Sequence, residues 1–307
     1  MFAGLDWDSS RLHVAIARYI LEHGYGCRTD ELPVTAIPAV TGVVRGDLDV
    51  LMEVWTYRVP EAWTKGLASG KVVELGVNFA DAVQGWFVPA YVIAGDEARG
   101  IAPRAPELRS VTDLPRYKEL FRDPEDPSKG RFYNCSLGWP CEVVNSKKLR
   151  AYGLEPYYTN FRAGTGEALA AAISSAYRRG KPILAYYWGP TWILGTYDLV
   201  RLEEPAYDPE VWRQLLASDN PSRATAYPLS EVVVGVNRRF HDAAPALVEF
   251  LERYETSNEM VSRLLAAMIE KAASAEEIAR DFLVSRPEVW GRWVPADVEE
   301  RVKASLR

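Results

Sequence analysis

The chain has 307 residues, which exceeds the roughly 250–300 residues at which a single hydrophobic core stops growing, so we expect two lobes. Apolar residues make up 48% and charged residues 25%, a balance that is typical of a soluble globular protein and excludes a disordered one. The formal net charge of −6 provides no basic field for nucleic acid or for an anionic membrane surface. No stretch approaches about 18 uninterrupted apolar residues, so the sequence predicts no transmembrane segment.

The first 95 residues are predicted to alternate between helices and strands. After a short strand at 2–5, apolar residues at helical spacing predict a helix that starts at Ser9 or Ser10 and stops at Gly24. The next elements are predicted in the order strand 32–37, helix 40–46, strand 50–54, helix 60–69, strand 71–75 and strand 84–93. Such alternation is typical of a mainly parallel α/β sheet, in which ligands meet the loops at the carboxyl ends of the strands.

A second α/β set is predicted after Gly95. Its elements are helix 110–121, strand 131–135, helix 141–152, strand 157–161, helix 165–179 and strand 182–188. Beyond Tyr227, a strand at 230–236 is followed only by predicted helices. A lone strand cannot form a parallel sheet of its own, so we expect it to return to the first lobe. We therefore predict lobe 1 from residues 1–93 and 231–307, and lobe 2 from residues 94–230.

The sequence offers little support for an enzyme. Its three histidines, His13, His23 and His241, stand neither beside a nucleophile nor in a metal-ligand cluster. The nucleophile-elbow, phosphate-loop and zinc-protease motifs do not occur in it. The pattern predicts no catalytic residue and no cofactor.

Two other segments have both a functional and a plain interpretation. Gly164-Thr165-Gly166 opens a helix as phosphate loops do, but Leu169 stands where a dinucleotide fingerprint has its third glycine, which favours a plain helix cap. Asp123, Glu125 and Asp126 offer carboxylates that could hold a calcium ion, and they also fit a solvated acidic turn.

The cysteines bear on the cellular compartment. Cys135 and Cys141 are six positions apart, which is neither a zinc-ligand spacing nor a C-x-x-C redox motif. Either they form a disulfide, which persists only in an oxidising compartment, or they are two reduced, buried cysteines. The residues after Met1 lack the features of a secretory signal, so the disulfide alternative requires a leader that has been removed.

Three of the ten tryptophans occupy positions where ligands are usually bound. Trp55 follows the strand at 50–54, Trp188 ends the strand at 182–188, and Trp139 directly precedes a predicted helix. These are the carboxyl ends of strands or the loops beyond them, where a ligand contact rather than a core residue is expected. Indole faces hold cations better than other aromatic rings do. An aromatic set divided between two lobes predicts a box that closes around a cationic guest.

The remaining tryptophans are assigned by the same reasoning. Trp7, after the first strand, and Trp86 are possible further walls of the box. The other five are interpreted as packing residues: Trp63, Trp192, Trp212, Trp290 and Trp293.

These residues resemble those of the substrate-binding proteins of ABC importers for glycine betaine and proline betaine. Residues 135–142 are similar to the disulfide-closed loop C-x-x-G-W-x-C-E of that family, and Trp55-Thr56 and residues 186–192 match it in position and character. The resemblance implies a two-lobed periplasmic-binding-protein (Venus flytrap) fold in which a mainly parallel sheet in each lobe is flanked by helices and the chain crosses twice between lobes. It also implies a disulfide between Cys135 and Cys141.

The family also implies a function for this chain. It would capture a small methylated ammonium compound such as glycine betaine outside the cytoplasm and deliver it to an importer permease, after removal of a signal or lipoprotein leader. Trp55, Trp139 and Trp188 correspond to the three indoles that enclose the quaternary ammonium in the family.

The sequence departs from the family where a betaine carboxylate would bind. The relatives use two consecutive backbone N–H groups after the box tryptophan and a histidine soon after the first one, whereas Pro140 has no N–H and no histidine follows Trp55. The remaining candidates for the negative end are the N–H groups of Cys141 and Glu142 and the side chains of Tyr57 and Arg58. Alternatively, the ligand is trimethylamine N-oxide, choline or carnitine, and Glu53 or Glu142 faces its hydroxyl or its cation.

Two functions of other classes remain open at this point. An enzyme that acts on a quaternary ammonium compound needs a base or a metal in the cleft, and a cytoplasmic osmolyte sensor needs an output module. The sequence predicts neither feature.

Overall fold

The computed structural model describes residues 1–56 and 60–307, which form two compact units. Unit 1 comprises Met1–Val83, Pro190–Gly195 and Leu229–Arg307, and unit 2 comprises Gln84–Gly189 and Thr196–Pro228. The sequence placed the crossings near residues 93 and 230. The first crossing instead lies ten residues earlier, and the short segment at 190–195 adds two further passages between the units.

Unit 1 is built around a mixed sheet. In chain order its strands are β1 (Phe2–Gly4), β2 (Glu31–Pro33), β3 (Val50–Trp55), the first part of β4 (Val72–Pro89) and β9 (Ser230–Asn237). They lie in the order β2-β1-β3-β9-β4, and β9 runs antiparallel to both of its neighbours. The late strand therefore returns to the first sheet as predicted, but its direction makes this sheet mixed rather than mainly parallel.

Helices cover this sheet. They are α1 (Asp8–Gly24), α2 (Ala36–Arg45), α3 (Glu61–Ala68), α7 (Trp192–Thr196), α9 (Arg238–Ala243), α10 (Pro245–Arg253), α11 (Asn258–Lys271), α12 (Ala275–Ser285), α13 (Pro287–Trp290) and α14 (Ala296–Leu306). Helix α1 buries Leu12, Ile16 and Ile20 in the main core because these residues recur at helical spacing. At Gly24 a Cβ atom would come within 2.7 Å of the Val298 side chain, so glycine permits the close approach of α14.

Unit 2 has a second sheet that contains the remainder of β4. Its other strands are β5 (Gly130–Asn134), β6 (Tyr158–Arg162), β7 (Leu184–Gly189) and β8 (Leu199–Arg201), and the order is β4-β7-β5-β6 with β8 on β4. Strand β5 is parallel to β6 and β7. The helices of this unit are α4 (Ala90–Ala94), α5 (Pro140–Ala151), α6 (Gly166–Arg178) and α8 (Pro209–Ala217).

Several predicted elements differ from the structure. One strand of 18 residues replaces the two strands predicted at 71–75 and 84–93, and it ends at Pro89, where α4 begins. Short apolar runs do not distinguish strand from helix by their periodicity, and proline ends the ladder. The helix predicted at 110–121 is a 3-10 helix over Val111–Tyr117 that contains Pro115.

The tryptophans predicted to pack are largely buried. Trp63 and Trp290 are fully buried, Trp212 and Trp293 nearly so, and Trp192 packs partly buried against the core of unit 1. None of the helices in the described part of the chain has the length and apolar character needed to cross a membrane.

Candidate ligand-binding site

In unit 1, the candidate site residues are two half-buried indoles that share one acceptor. Trp55 ends β3, and Trp7 lies immediately before α1. The indole N–H of Trp7 donates to Oε2 of Glu53 at 2.8 Å, and that of Trp55 donates to the same oxygen at 3.0 Å. Glu53 and Trp55 are two positions apart on one strand, which places them on the same face. Phe79 supports Trp55 edge-on at a ring separation of 5.8 Å.

Glu53 is itself part of a buried polar cluster. Its side chain is 2% exposed, and its second oxygen, Oε1, lies 3.7 Å from Nε2 of the fully buried His13. The other ring nitrogen of His13 hydrogen-bonds the Tyr254 hydroxyl at 2.9 Å. Burial lowers the pKa of His13 to about 3 and raises that of Glu53. His13 is therefore neutral near pH 7, and the two side chains do not form an ion pair. The expectation that Glu53 faces a ligand is corrected by this burial.

In unit 2, Trp139 and Trp188 form an aromatic corner. Trp139 precedes α5 and Trp188 lies near the end of β7, so the two predicted strand-end positions converge. Their ring centroids are 5.1 Å apart and their planes meet at 84°. Trp188 also stacks on the buried Tyr186 at 6.2 Å. Trp139 and Trp188 are both half-buried.

Gly166 fits tightly against this corner. A Cβ atom at Gly166 would lie 2.8 Å from Cη2 of Trp139, so the first residue of α6 must be glycine for the indole to lie where it does. Thr165 caps this helix by accepting from the Ala168 N–H at 3.1 Å, in agreement with the helix-cap interpretation of this segment. Sequence reasoning missed the contact, because it joins residues that are distant along the chain.

The loop before α5 is closed by a disulfide between Cys135 and Cys141, whose Cα atoms are 5.8 Å apart. Both residues are buried. Gly138 adopts a left-handed backbone with φ of 86°, which a tight loop at this point requires. The Trp139 N–H donates to the Ser136 carbonyl at 3.2 Å. These constraints hold Trp139 at the start of the helix.

One donor predicted for the ligand's negative end, the Glu142 N–H, has another partner, and so has the Glu142 side chain. The Glu142 N–H donates to the Trp139 carbonyl at 3.1 Å. The Glu142 side chain is 8% exposed and pairs with Arg162 at 2.6 Å and with the Ser146 hydroxyl at 3.0 Å. These contacts correct the expectation that Glu142 binds the ligand. Cys141 lies in the first turn of α5, where N–H groups have no acceptor within the helix.

Three further predictions have different outcomes. Trp86 is fully buried, donates to Oδ1 of Asn145 at 2.9 Å and packs on Phe132, so it is a core residue and not a wall. Tyr57 and Arg58 lie outside the described residues.

The carboxylates of the acidic loop, Asp123, Glu125 and Asp126, have partners within the protein. Arg131 pairs with Asp123 at 2.6 Å and with Glu125 at 2.8 Å, while Asp126 accepts from the Ser128 hydroxyl. Across residues 1–56 and 60–307, no group of three or more histidine, cysteine or acidic side chains is placed to hold a metal ion. The Arg131 guanidinium therefore pairs with two of the three carboxylates for which the sequence left calcium binding and a plain acidic turn as alternatives.

Two α/β units linked by repeated chain crossings are the architecture of two-lobed binding proteins. The chain belongs to the family described as the substrate-binding domain of ABC-type glycine betaine transport systems, whose model matches residues 1–285. The predicted family and two-lobed fold are thereby confirmed, and the partner of such a domain is the permease of an ABC importer.

Individual relatives and solved structures agree with this assignment. The trimethylamine N-oxide-binding protein of Pelagibacter ubique (strain HTCC1062) is 22% identical over 245 residues, which cover 80% of this chain and 74% of the relative. The glycine betaine-binding periplasmic protein OusX of Dickeya dadantii (strain 3937) is also 22% identical over 245 residues, which cover 78% and 71%. The structure of an ABC-transporter choline-binding protein in complex with choline has a TM-score of 0.71 at 17% identity, over 100% of this chain and 97% of that one.

Proposed function

We propose that this chain captures a small methylated ammonium compound and passes it to the permease of an ABC importer, without transforming it. The corner formed by Trp139 and Trp188 carries the proposal. We assign Trp55 to the same ligand as a third face because the family resemblance matches it to a box tryptophan. A trimethylammonium head has no N–H to donate, so aromatic faces recognise it where hydrogen bonds cannot.

Cation–π attraction to three indoles is too weak on its own to give micromolar binding. Each desolvated indole contributes about 0.5–2 kcal/mol, so three supply roughly 1.5–6 kcal/mol. A micromolar complex requires about 8 kcal/mol. Apolar burial supplies part of the difference, and an oxygen of the ligand at the start of α5 supplies the rest through the Cys141 N–H and the positive end of the helix.

The backbone around Trp139 favours a ligand with a small negative end. Pro140 has no N–H and the Glu142 N–H is already engaged, so one backbone donor remains where a carboxylate would use two. A single N-oxide oxygen matches one donor, and choline needs none. The binding named for the Pelagibacter relative supports the first choice. Glycine betaine and carnitine remain members of the proposed ligand class.

We further propose that the chain works outside the cytoplasmic membrane, after a leader has been removed. The Cys135–Cys141 disulfide supports this location because disulfides persist in oxidising compartments. The periplasmic location named for the Dickeya relative agrees with it.

A ligand panel tests the proposal. We expect calorimetric titration to give saturable binding of trimethylamine N-oxide or choline at micromolar concentrations, with glycine betaine and carnitine no tighter. NMR of the ligand after incubation should show it unchanged, since nothing in the proposal transforms it. Binding of an amino acid or a sugar, with no response to any methylated amine at millimolar concentration, would refute the proposed function.

Replacing Pro140 by alanine tests the role of the missing donor. The substitution restores an N–H at the first position of α5, and a charge-assisted hydrogen bond to a carboxylate should lower the Kd for glycine betaine about fivefold to tenfold. Choline has no carboxylate, so its Kd should stay the same and serves as the control. A loss of about 0.4–1 kcal/mol in stability is expected, because proline restricts the unfolded chain. Equal changes for both ligands would contradict the assignment.

A further inference from the structure

One carboxylate oxygen joins two tryptophans that are far apart in the sequence. Oε2 of Glu53 accepts the N–H of Trp55, two residues along β3, and the N–H of Trp7, which belongs to the segment before α1. Both bonds, at 3.0 and 2.8 Å, have good donor–acceptor distances. The orientation of each indole is therefore tied to that of the other through a single atom.

The position of Glu53 is costly for a residue whose only task is to fill the core. Its side chain is 2% exposed, and no lysine or arginine of the described residues lies within ion-pairing distance of it, its basic neighbour being the neutral His13. Besides the two indoles and His13, the buried Ser9 hydroxyl also lies beside this carboxyl group. A leucine or methionine would fill the same space without the penalty of burying a carboxyl group. The two indole bonds are what an apolar residue could not provide.

The two indoles also differ from core tryptophans. Trp63 makes the same kind of bond to Oε1 of Glu74, at 2.8 Å, but it is fully buried. Trp7 and Trp55 are both only half-buried within unit 1. A carboxylate that fixes partly uncovered rings orients a surface, whereas one that fixes a buried ring only completes a core.

Resting on the proposed function, we infer that Glu53 is a positioning residue which holds Trp7 and Trp55 as one rigid aromatic surface of unit 1 that contacts the methylated ammonium ligand. An indole whose N–H is hydrogen-bonded has lost its side-chain rotation before the ligand arrives. Binding therefore costs less side-chain conformational entropy. Trp7 thereby becomes a binding residue beside Trp55.

Substitutions at Glu53 and Glu74 provide the test. Glu53→Ala removes the acceptor, and we expect the Kd for choline and for trimethylamine N-oxide to rise at least tenfold in calorimetric titration. Glu53→Gln retains an amide oxygen that accepts both N–H groups, so it should stay within about threefold of the wild type. Glu74→Ala removes the matched bond to the core residue Trp63, and it should lower the melting temperature while leaving the Kd unchanged.

The possible outcomes separate this inference from the proposed function. Wild-type affinity in Glu53→Ala, or an equal loss of affinity in Glu74→Ala, would overturn the positioning role. Should Glu53→Ala fail to fold, Trp7→Phe removes one of the two N–H donors from the edge of unit 1, and a Kd that does not rise overturns the role equally. If the wild-type chain binds none of the four methylated amines, the proposed function fails and this inference fails with it; if it binds only glycine betaine or carnitine, the same variants are titrated with that ligand.

Discussion

Replacing Trp188 by alanine is expected to raise the Kd for the ligand by about 10- to 300-fold while the protein remains folded. The substitution removes one of two perpendicular ring faces, and with it about 0.5–2 kcal/mol of cation–π attraction and part of the apolar burial. Together these losses are about 1.4–3.4 kcal/mol, which corresponds to that range of Kd. Calorimetric titration with choline and trimethylamine N-oxide measures the change.

The stability of the same variant distinguishes a ligand wall from a core residue. Because Trp188 is only half-buried, we expect its loss to cost less than the roughly 3–5 kcal/mol that is typical of a fully buried tryptophan. Trp63→Ala is the matched control, since Trp63 is fully buried, and it should lose stability without a change in Kd. Trp188→Phe keeps a smaller face and should fall between wild type and Trp188→Ala. If Trp188→Ala keeps its binding but loses much of its stability, Trp188 is a core residue and not a ligand contact.

The sequence predicted the helices around Trp139 well because local signals specify them. Helix α5 begins at Pro140, which suits the first helical turn, and helix α6 begins after the capping Thr165. Both predicted helices lie within one residue of the observed bounds. The glycine in the disulfide loop adopts the left-handed backbone that only such a residue tolerates easily. Trp139 is therefore placed by neighbours within a few residues of it.

Whether an individual aromatic or charged side chain is buried or paired depends on residues that are distant along the chain. Trp55 and Trp86 both lie in strands beside polar residues, yet Trp55 is half-buried and Trp86 fully buried, because Phe132 and Asn145 cover the latter. Arg162 of β6 forms an ion pair with the Glu142 carboxylate of α5. A single sequence gives no periodic signal for such contacts, so burial of these side chains could not be read from it.

The cluster around Glu53 shows both what a single sequence reveals and what it leaves out. The separation of two residues between Glu53 and Trp55 shows from the sequence alone that they share a strand face. Trp7, His13 and Tyr254 reach the same cluster from other elements, and their roles emerge only from the fold. A glutamate inside an otherwise apolar strand was the available signal, and the sequence-based alternatives placed it facing a ligand, whereas it is buried and accepts from two indole N–H groups.

His13 is expected to make the protein sensitive to acid. Burial lowers its pKa from 6.5 to about 3, so the unfolded chain binds a proton between these values that the folded chain does not. The free energy of unfolding therefore falls as the pH drops below 6.5, with a slope that approaches 1.4 kcal/mol per pH unit. From pH 7.5 to 5 the loss due to His13 should be about 2 kcal/mol. Glu53 opposes this trend, because a raised pKa lets the folded chain keep a proton that the unfolded chain releases.

His13→Asn isolates the histidine contribution, since asparagine retains a polar atom near the Tyr254 hydroxyl and carries no titrating proton. Urea unfolding at pH 7.5 and pH 5 should show the difference between the two pH values shrink by about 2 kcal/mol in this variant, whatever its absolute stability. An unchanged difference in His13→Asn would mean that the imidazole is protonated inside the fold, where Glu53, 3.7 Å away, would then be its counter-ion.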